Sequence, residues 1–306
     1  MQKKAFFFID DVIWVFRDLT RERPASLFDN PFMRCLKDAH DRYGMKVQLH
    51  VFYRTDFFYG DDEFTLADMT DAYKAEWEAA SDWLKLGFHA KQEFPDYPYV
   101  NASYEDVKNG LKAVKQEIIR FAGAGSFAAS SVLHWGAMSK EGCKALREGG
   151  IKVLSVSIGE KFSCEEKLES LPYGHAGRLL QNRKPESAIF ARTPNFYSLC
   201  GYNYLADEQN DPIYFNTKTC FDSDTGLHFK KLFNSVVLNA TNLSDITPKL
   251  SAVLEKEFIG FATHEQYFYP EYFAYQPDYV EKIDVAAKLL AENGFSFFFA
   301  EELVNA

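Results

Sequence analysis

The feature that most constrains this 306-residue chain is a repeated alternation of short apolar runs with amphipathic segments. The apolar runs have the length of buried strands, and the segments between them place apolar residues on one helix face. Strands that alternate with helices form parallel sheets whose two faces are both covered. The predicted strands are residues 5–9, 45–53, 84–88, 125–133, 151–155, 258–263 and 295–300, and the predicted helices are residues 30–43, 65–83, 103–121, 139–149, 247–257 and 278–292.

About seven such units predict an α/β fold, and specifically a distorted (β/α)7-type barrel. Residues 159–239 interrupt the alternation with turn signals and short aromatic segments, among them residues 212–215. We interpret this stretch as an insertion of loops and antiparallel hairpins. Because no Gly/Ser-rich linker flanks it, residues 1–306 are expected to form a single domain with the insertion packed on the barrel.

Charge and cysteine content exclude several classes of protein. The net charge of −10 argues against binding of nucleic acid or an anionic membrane through bulk electrostatics. The five cysteines are widely spaced and include no C-x-x-C pair, which argues against a disulfide framework and a zinc ribbon. Asp10 and Asp11 interrupt the first apolar run, so we expect no signal peptide or membrane span there and a cytoplasmic location. No sequence feature predicts an oligomeric state.

Acidic and imidazole side chains recur in or just after the predicted strands. They are Asp10 and Asp11, His50, His89, His134 and His264. The carboxyl ends of parallel barrel strands converge on one mouth, so these groups are predicted to meet there. Taken singly, an Asp pair is a common turn or helix cap, and a strand-end histidine is commonly a hydrogen-bonding residue. Their shared placement favours a divalent metal site.

Two features near these residues allow two interpretations each. Glu93 stands four residues after His89, so the two share a helix face and can hold one ion if a helix follows the strand directly. Alternatively, Glu93 is a solvated acid in the first turn of a helix. The tyrosines and phenylalanines of residues 267–275 either form a stacking wall over the mouth or pack beneath the insertion.

These motifs resemble the polysaccharide deacetylase superfamily, the NodB-type carbohydrate esterases, which have distorted (β/α) barrels. The segment Phe8-Ile9-Asp10-Asp11 resembles the family's Phe-Asp-Asp motif, and His89-Ala-Lys-Gln-Glu93 stands where the family has His-x-x-x-His. The stretch from Trp135 into residues 140–151 resembles the sequence after the family's Arg-Pro-Tyr-Gly motif. The apolar run that ends in His264 resembles the last motif.

The resemblance implies a metal-dependent hydrolase that removes an acyl group, such as acetyl, from an amino sugar or a related small-molecule or oligosaccharide substrate. It implies that Asp10 is the general base and His264 the general acid. Asp11 and His89 would be metal ligands, and Glu93 would stand in the place of the family's second histidine. The implied cofactor is a divalent metal ion, with zinc favoured. Candidates for substrate contacts or an alternative ligand are His134, Trp135, Glu265 and Tyr267.

The chain also departs from the family pattern. Glu93 replaces a histidine, Val12 replaces the glycine after the Asp pair, and the arginine of the third motif has no obvious counterpart. Two other functions therefore fit the sequence. One is a metal-independent glycoside hydrolase that uses two carboxylates, such as Asp11 with Glu265 or Glu93. The other is a non-catalytic carbohydrate-binding protein on a degenerate deacetylase barrel.

Overall fold

Two sheets and a layer of outer helices make up the fold. The computed structural model describes residues 2–57, 63–95, 98–99, 102–136, 138–155 and 219–304. The strands are β1 (Lys3–Val12), β2 (Val47–Phe52), β3 (Leu84–Ala90), β4 (Ser130–Ser131), β5 (Val153–Ser155), β6 (Cys220–Asp222), β7 (Leu227–Lys230), β8 (Phe258–His264) and β9 (Phe295–Phe297). The α-helices are α1 (Trp14–Glu22), α2 (Pro31–Tyr43), α3 (Lys74–Ala79), α4 (Tyr104–Ala122), α5 (Lys140–Glu148), α6 (Leu243–Ser251) and α7 (Tyr279–Glu292).

The strand order follows a barrel that is not closed. One sheet has the order β3-β2-β1-β8, with β9 paired to the start of β1, and its pairs are parallel. The other sheet has the order β4-β5-β7-β6, in which β6 and β7 form an antiparallel hairpin. Isolated bridges pair Leu86 of β3 with Phe127, three residues before β4, and Ala262 of β8 with Val237, seven residues after β7. The predicted α/β fold of barrel type is thus confirmed.

The apolar run in β1 is continuous because both of its faces are covered. Phe6 and Phe8 lie in the interior cluster, which also includes Ala262 of β8. Phe7 and Ile9 belong to the larger cluster between the sheet and the helices. Successive side chains of a strand point to opposite faces, so these two clusters account for the whole run.

Local signals fix the bounds of several helices. Helix α2 begins where the Asn30 side chain accepts hydrogen bonds from the backbone N–H groups of Phe32 and Met33. It ends at Gly44, whose φ of +66° is the left-handed conformation that glycine adopts without strain. Helix α5 begins in the same way at Ser139. None of the helices among the described residues has both the length and the apolar character that crossing a bilayer requires.

The long helix predicted over residues 65–83 is wrong. The structure has a 3₁₀ turn at Leu66–Asp68 and then the short helix α3. Side chains satisfy the backbone between them: Thr70 Oγ1 accepts from the Ala72 N–H, and Arg120 of α4 donates to the carbonyls of Leu66 and Met69. Strand β4 is likewise much shorter than predicted, since residues 124–126 form a 3₁₀ turn.

Part of the predicted insertion can be compared with the structure. Residues 159–218, including the strand predicted at 212–215, lie outside the described residues. The remainder contains the β6–β7 hairpin, which turns at Gly226 with φ +74°. Strand β7 pairs in parallel with β5, so this hairpin extends the second sheet.

Candidate active site

A bulge at the carboxyl end of β1 directs both early aspartates at one histidine. Strand β1 advances three residues, from Ile9 to Val12, while its partner β2 advances two. Asp11 within this bulge has φ +61°, a left-handed conformation that costs an L-residue about 1–3 kcal/mol. In a regular strand, neighbouring side chains would point to opposite faces. Here Asp10 Oδ1 lies 3.9 Å from His89 Nδ1, and Asp11 Oδ1 lies 3.0 Å from His89 Nε2.

Two backbone carbonyls fix the protonation pattern of the neighbouring histidines. His89 Nδ1 donates to the Val132 carbonyl, and His134 Nε2 donates to the Glu93 carbonyl over 2.9 Å. The neutral rings therefore present lone pairs at His89 Nε2 and His134 Nδ1, which lie 3.3 Å apart. Asp11 Oδ1 lies 3.0 Å from the first nitrogen and 3.3 Å from the second. The three atoms that face one another are all hydrogen-bond acceptors, and none of them carries a hydrogen. A positive charge, from a metal ion or a proton, is therefore required between them.

The position of Asp11 is fixed from its other side. Gln266 Nε2 donates to Asp11 Oδ2 over 3.1 Å, which keeps Oδ1 facing the two imidazoles. Burial lowers the pKa of His134, but the hydrogen bond and charge of Asp11, with a contribution from Glu93, outweigh it and raise the pKa to about 9. Without another cation, a proton on His134 therefore supplies the positive charge that the cluster needs.

A second group of potential ligands shares His89. Among the described residues, Asp10, His50 and His89 lie close enough to hold an ion, as do Asp11, His89 and His134. In the first group the His89 nitrogen that lies 3.9 Å from Asp10 is Nδ1, and that nitrogen donates to the Val132 carbonyl. The hydrogen bonds therefore favour the second group, which we call the Asp–His–His group. One carboxylate and two imidazoles are a donor set that suits zinc and other first-row divalent ions.

His264 faces the same side of the sheet as Asp10. The two residues are register partners in the parallel pairing of β1 with β8, so their side chains share one face. His264 Nδ1 donates to Asn239 Oδ1 over 3.0 Å, and Asn239 Oδ1 also accepts from Thr263. These contacts hold the ring beside the mouth, with Nε2 as the nitrogen away from Asn239.

Glu93 is not positioned by a helix, as one interpretation of the sequence required. Strand β3 extends through His89 to Ala90, residues 91–93 form a bend, and the next helix among the described residues begins at Tyr104. Glu93 is buried beside His134, and it holds that ring through its backbone carbonyl. The structure thus brings the alternative ligand His134 into the Asp–His–His group, whereas the Glu93 carboxylate is not a member of it. The role of Glu93 as a ligand stays an untested prediction, and the geometry favours His134 as the third ligand.

The remaining candidate residues are placed as follows. Trp135 is buried next to His134, with the two ring centroids 6.0 Å apart, and its φ is +64°. Tyr267 is buried, and its ring centroid lies 6.3 Å from that of His264. Glu265 is fully buried and accepts from the N–H groups of residues 13–15 over 2.7–2.8 Å. Burial raises the pKa of Glu265 to about 7, against the effect of these three donors.

The aromatic segment after β8 divides between the core and the surface. Tyr269 and Tyr272 are buried against Trp14 of helix α1, at centroid distances of 4.9 and 6.4 Å. Phe273 and Tyr275 are exposed. Burial raises the pKa of Tyr272, and the neighbouring Tyr267 and the Glu93 and Asp11 carboxylates raise it further.

Two residues that the sequence did not predict, Asn239 and Gln266, complete the site, and His50 was predicted at the mouth without a partner. His50 was recognised as lying in β2, and the period-2 alternation places it on the same face as Gln48, but nothing local shows that its ring meets Asp10. Asn239 lies in a 3₁₀ turn 25 residues before His264. Gln266 directly follows the predicted Glu265, and only the tertiary structure shows which of the two contacts Asp11.

Comparison with solved structures finds barrel-type enzymes of low sequence identity. A 4-α-glucanotransferase from Thermococcus litoralis is 12% identical with a TM-score of 0.56, and the match covers 100% of this chain and 40% of that one. An acetyl xylan esterase of family 4 from Clostridium thermocellum, in complex with a cobalt ion, is 12% identical with a TM-score of 0.42; the match covers 99% of this chain and 91% of that one. A peptidoglycan N-acetylglucosamine deacetylase from Eubacterium rectale is 11% identical with a TM-score of 0.40, over 97% of this chain and 88% of that one.

These matches concern the fold. Polysaccharide and peptidoglycan deacetylases are among the matched structures, at 11% identity and TM-scores of 0.40–0.46. The chain spans 40% of the length of the glucanotransferase. No family model matches the chain, and no curated protein sequence matches it.

Proposed function

We propose that this protein is a metal-dependent hydrolase that removes an acyl group, such as acetyl, from an amino sugar or a related carbohydrate. The observation that carries the proposal is the convergence of Asp11 Oδ1, His89 Nε2 and His134 Nδ1 as three acceptor atoms 3.0–3.3 Å apart. A surface acidic cluster would not explain it, because all three residues are buried and two backbone carbonyls orient the rings.

The Asp–His–His group would hold a divalent ion, and zinc suits its ligands. When bound at such a site, an ion of this kind supplies Lewis-acid chemistry, polarising a carbonyl and acidifying water. Gln266 and the carbonyls of Glu93 and Val132 keep the three ligand atoms in place. Such outer contacts determine both the tautomer and the orientation of ligating histidines.

Asp10 and His264 are the groups that would move protons. Asp10 lies next to the Asp–His–His group, 3.9 Å from His89, where it would take the proton from the attacking water. His264 lies on the neighbouring strand β8 and faces the same side. In the imidazolium form its Nε2 would donate the second ring proton to the leaving amine or alcohol, while Nδ1–H stays bonded to Asn239 and the ring becomes neutral.

The placement of Glu265 argues against the glycoside hydrolase alternative that pairs it with Asp11. Its carboxyl oxygens are occupied by three backbone N–H groups at the start of α1. A catalytic carboxylate needs an oxygen that faces the substrate.

The proposal is tested with a panel of N-acetylated and O-acetylated sugars and oligosaccharides, with acetate release as the readout. We expect hydrolysis that a chelator abolishes and added zinc or cobalt restores. Asp10→Asn should lower kcat roughly a hundredfold or more while the protein still binds its ion. Activity that a chelator leaves unchanged would support a metal-independent enzyme instead. A protein that binds the oligosaccharides with no acetate release would support the non-catalytic alternative.

A further inference from the structure

A chain of hydrogen bonds runs through the barrel interior and ends at Asp10. We call it the polar ladder, and its members are Glu301, Ser130, Gln48, His50 and Asp10. Ser130 Oγ, which carries one proton, lies 2.8 Å from Glu301 Oε2 and 2.9 Å from Gln48 Oε1. Gln48 Nε2 lies 2.8 Å from His50 Nε2, and His50 Nδ1 lies 2.7 Å from Asp10 Oδ1. Gln48, His50 and Ser130 are completely buried.

Two backbone groups determine the direction of these hydrogen bonds. Gln48 Nε2 donates to the Ser130 carbonyl over 2.9 Å, and the reversed amide would place two acceptor oxygens against each other. The Gln48 amide nitrogen is therefore also the donor toward His50 Nε2. The Val132 N–H donates to the same nitrogen over 3.3 Å. With two donors directed at Nε2, the ring proton of His50 lies on Nδ1.

We infer that His50 is the positioning residue for the proposed general base: a neutral imidazole, held by Gln48 as the Nδ1–H tautomer, that donates one hydrogen bond to Asp10 Oδ1. The inference rests on the proposed function only in naming Asp10 as the base, because the tautomer follows from contacts within the barrel. The hydrogen bond fixes one oxygen of Asp10, so that the carboxylate cannot rotate away from the mouth.

Packing around the ladder supports this assignment. Two donors at Nε2 leave the ring with a single proton, on Nδ1, and therefore neutral; burial, against the charges of Glu301 and Asp11, lowers the pKa of His50 to about 3, in agreement with this geometry. Gly87 of β3 lies directly beside the ladder. A Cβ at that position would lie 2.6 Å from Gln48 Nε2 and 2.9 Å from His50 Cδ2. Both distances are too short for a side chain, so glycine is needed here to accommodate Gln48 and His50.

The first test reads the tautomer directly and does not depend on activity. Long-range ¹H–¹⁵N NMR of the full chain distinguishes protonated from unprotonated imidazole nitrogens, and the His50→Asn variant identifies the signals of His50. We expect a protonated Nδ1 and an unprotonated Nε2 between pH 6 and 8. A protonated Nε2, alone or together with Nδ1, would overturn the inference.

The second test separates positioning from packing. His50→Leu removes the donor, and His50→Asn, of similar size, keeps an N–H group near the position of Nδ1. For His50→Leu we expect kcat to fall roughly a hundredfold with KM and bound metal unchanged, and for His50→Asn we expect kcat to recover to within about tenfold of the wild type. The control is His40→Leu, since His40 stacks on Trp83 at 4.3 Å in helix α2, away from the mouth.

Each outcome bears on one claim. Equal losses of kcat in His50→Leu and His50→Asn would show that His50 only fills space and would overturn the positioning role. If the wild type hydrolyses no acylated sugar while NMR finds the Nδ1–H tautomer, the proposed function fails and the assignment of His50 as donor to Asp10 stands.

Discussion

Glu265 offers a sharp test of how the fold supports the site. Its two carboxyl oxygens accept three hydrogen bonds, from the N–H groups of Ile13, Trp14 and Val15. These donors lie at the start of helix α1, where backbone N–H groups have no partner within the helix. Helix α1 follows the Asp10–Asp11 bulge by only two residues, so Glu265 anchors the segment that carries both aspartates.

The cost of removing Glu265 can be worked out from these contacts. A buried donor left without its acceptor costs about 1–3 kcal/mol. Water can enter the space that Glu265→Ala leaves, so we take the lower value for each of the three donors and expect a loss of about 3 kcal/mol in the free energy of unfolding. Glu265→Gln keeps one acceptor oxygen and should lose about 1 kcal/mol. A small domain is stable by only about 5–15 kcal/mol, so the larger loss is readily measured.

Urea denaturation at constant pH measures both variants. The matched control is Glu271→Ala, because Glu271 is half exposed and its partner Arg17, 3.3 Å away, is also bonded to Asp18 at 2.9 Å; loss of such a half-exposed partner costs less than about 1 kcal/mol. Glu265→Gln should also keep acyl hydrolysis within about tenfold of the wild type. The reasoning is refuted if Glu265→Ala costs no more than Glu271→Ala, or if Glu265→Gln abolishes activity without loss of stability.

Three further predictions concern pH, packing and capping. In the metal-free protein the pKa of His134 rises from 6.5 to about 9, so its contribution to stability is complete below pH 6.5 and is lost as pH rises through 9. Urea titrations should show a decline of about 3 kcal/mol that His134→Gln lacks. A Cβ at Gly260 would lie 1.6 Å from the Leu232 carbonyl oxygen, whereas one at Gly110 would meet only Phe88 at 3.9 Å. Thermal unfolding should therefore show that Gly260→Ala is strongly destabilised and that Gly110→Ala is stabilised by about 0.5–1 kcal/mol. A Gly260→Ala variant more stable than Gly110→Ala would contradict this packing argument. Asn30→Ala should cost about 1 kcal/mol in chemical denaturation, with Asn30→Asp close to the wild type.

The parts of the fold that could be predicted are those with local signals. The continuous apolar run of β1 and the Asn30 and Gly44 caps of α2 are each visible in a few neighbouring residues. The helix predicted over residues 65–83 was wrong because Thr70 and Arg120 satisfy the backbone there, and Arg120 lies about 50 residues further along the chain.

The candidate site was predictable in its position but not in its detailed geometry. Strand-end placement of Asp11, His89 and His264 follows from the parallel fold. The bulge that gives Asp11 its left-handed φ depends on the pairing of β1 with β2, which the sequence of β1 does not encode. Likewise, the loop after β3 brings the Glu93 carbonyl to His134 from 41 residues away, and this contact decides which side chain joins the Asp–His–His group.

The most direct test of the account is a calorimetric zinc titration of three metal-free proteins: the wild type, His134→Ala and Glu93→Gln. Elemental analysis then counts the zinc ions bound to each. We predict one ion per chain in the wild type, an affinity lowered roughly a hundredfold or more in His134→Ala, and an affinity within about tenfold of the wild type in Glu93→Gln. Absence of binding in the wild type, or an ion lost from Glu93→Gln and retained by His134→Ala, would contradict the account.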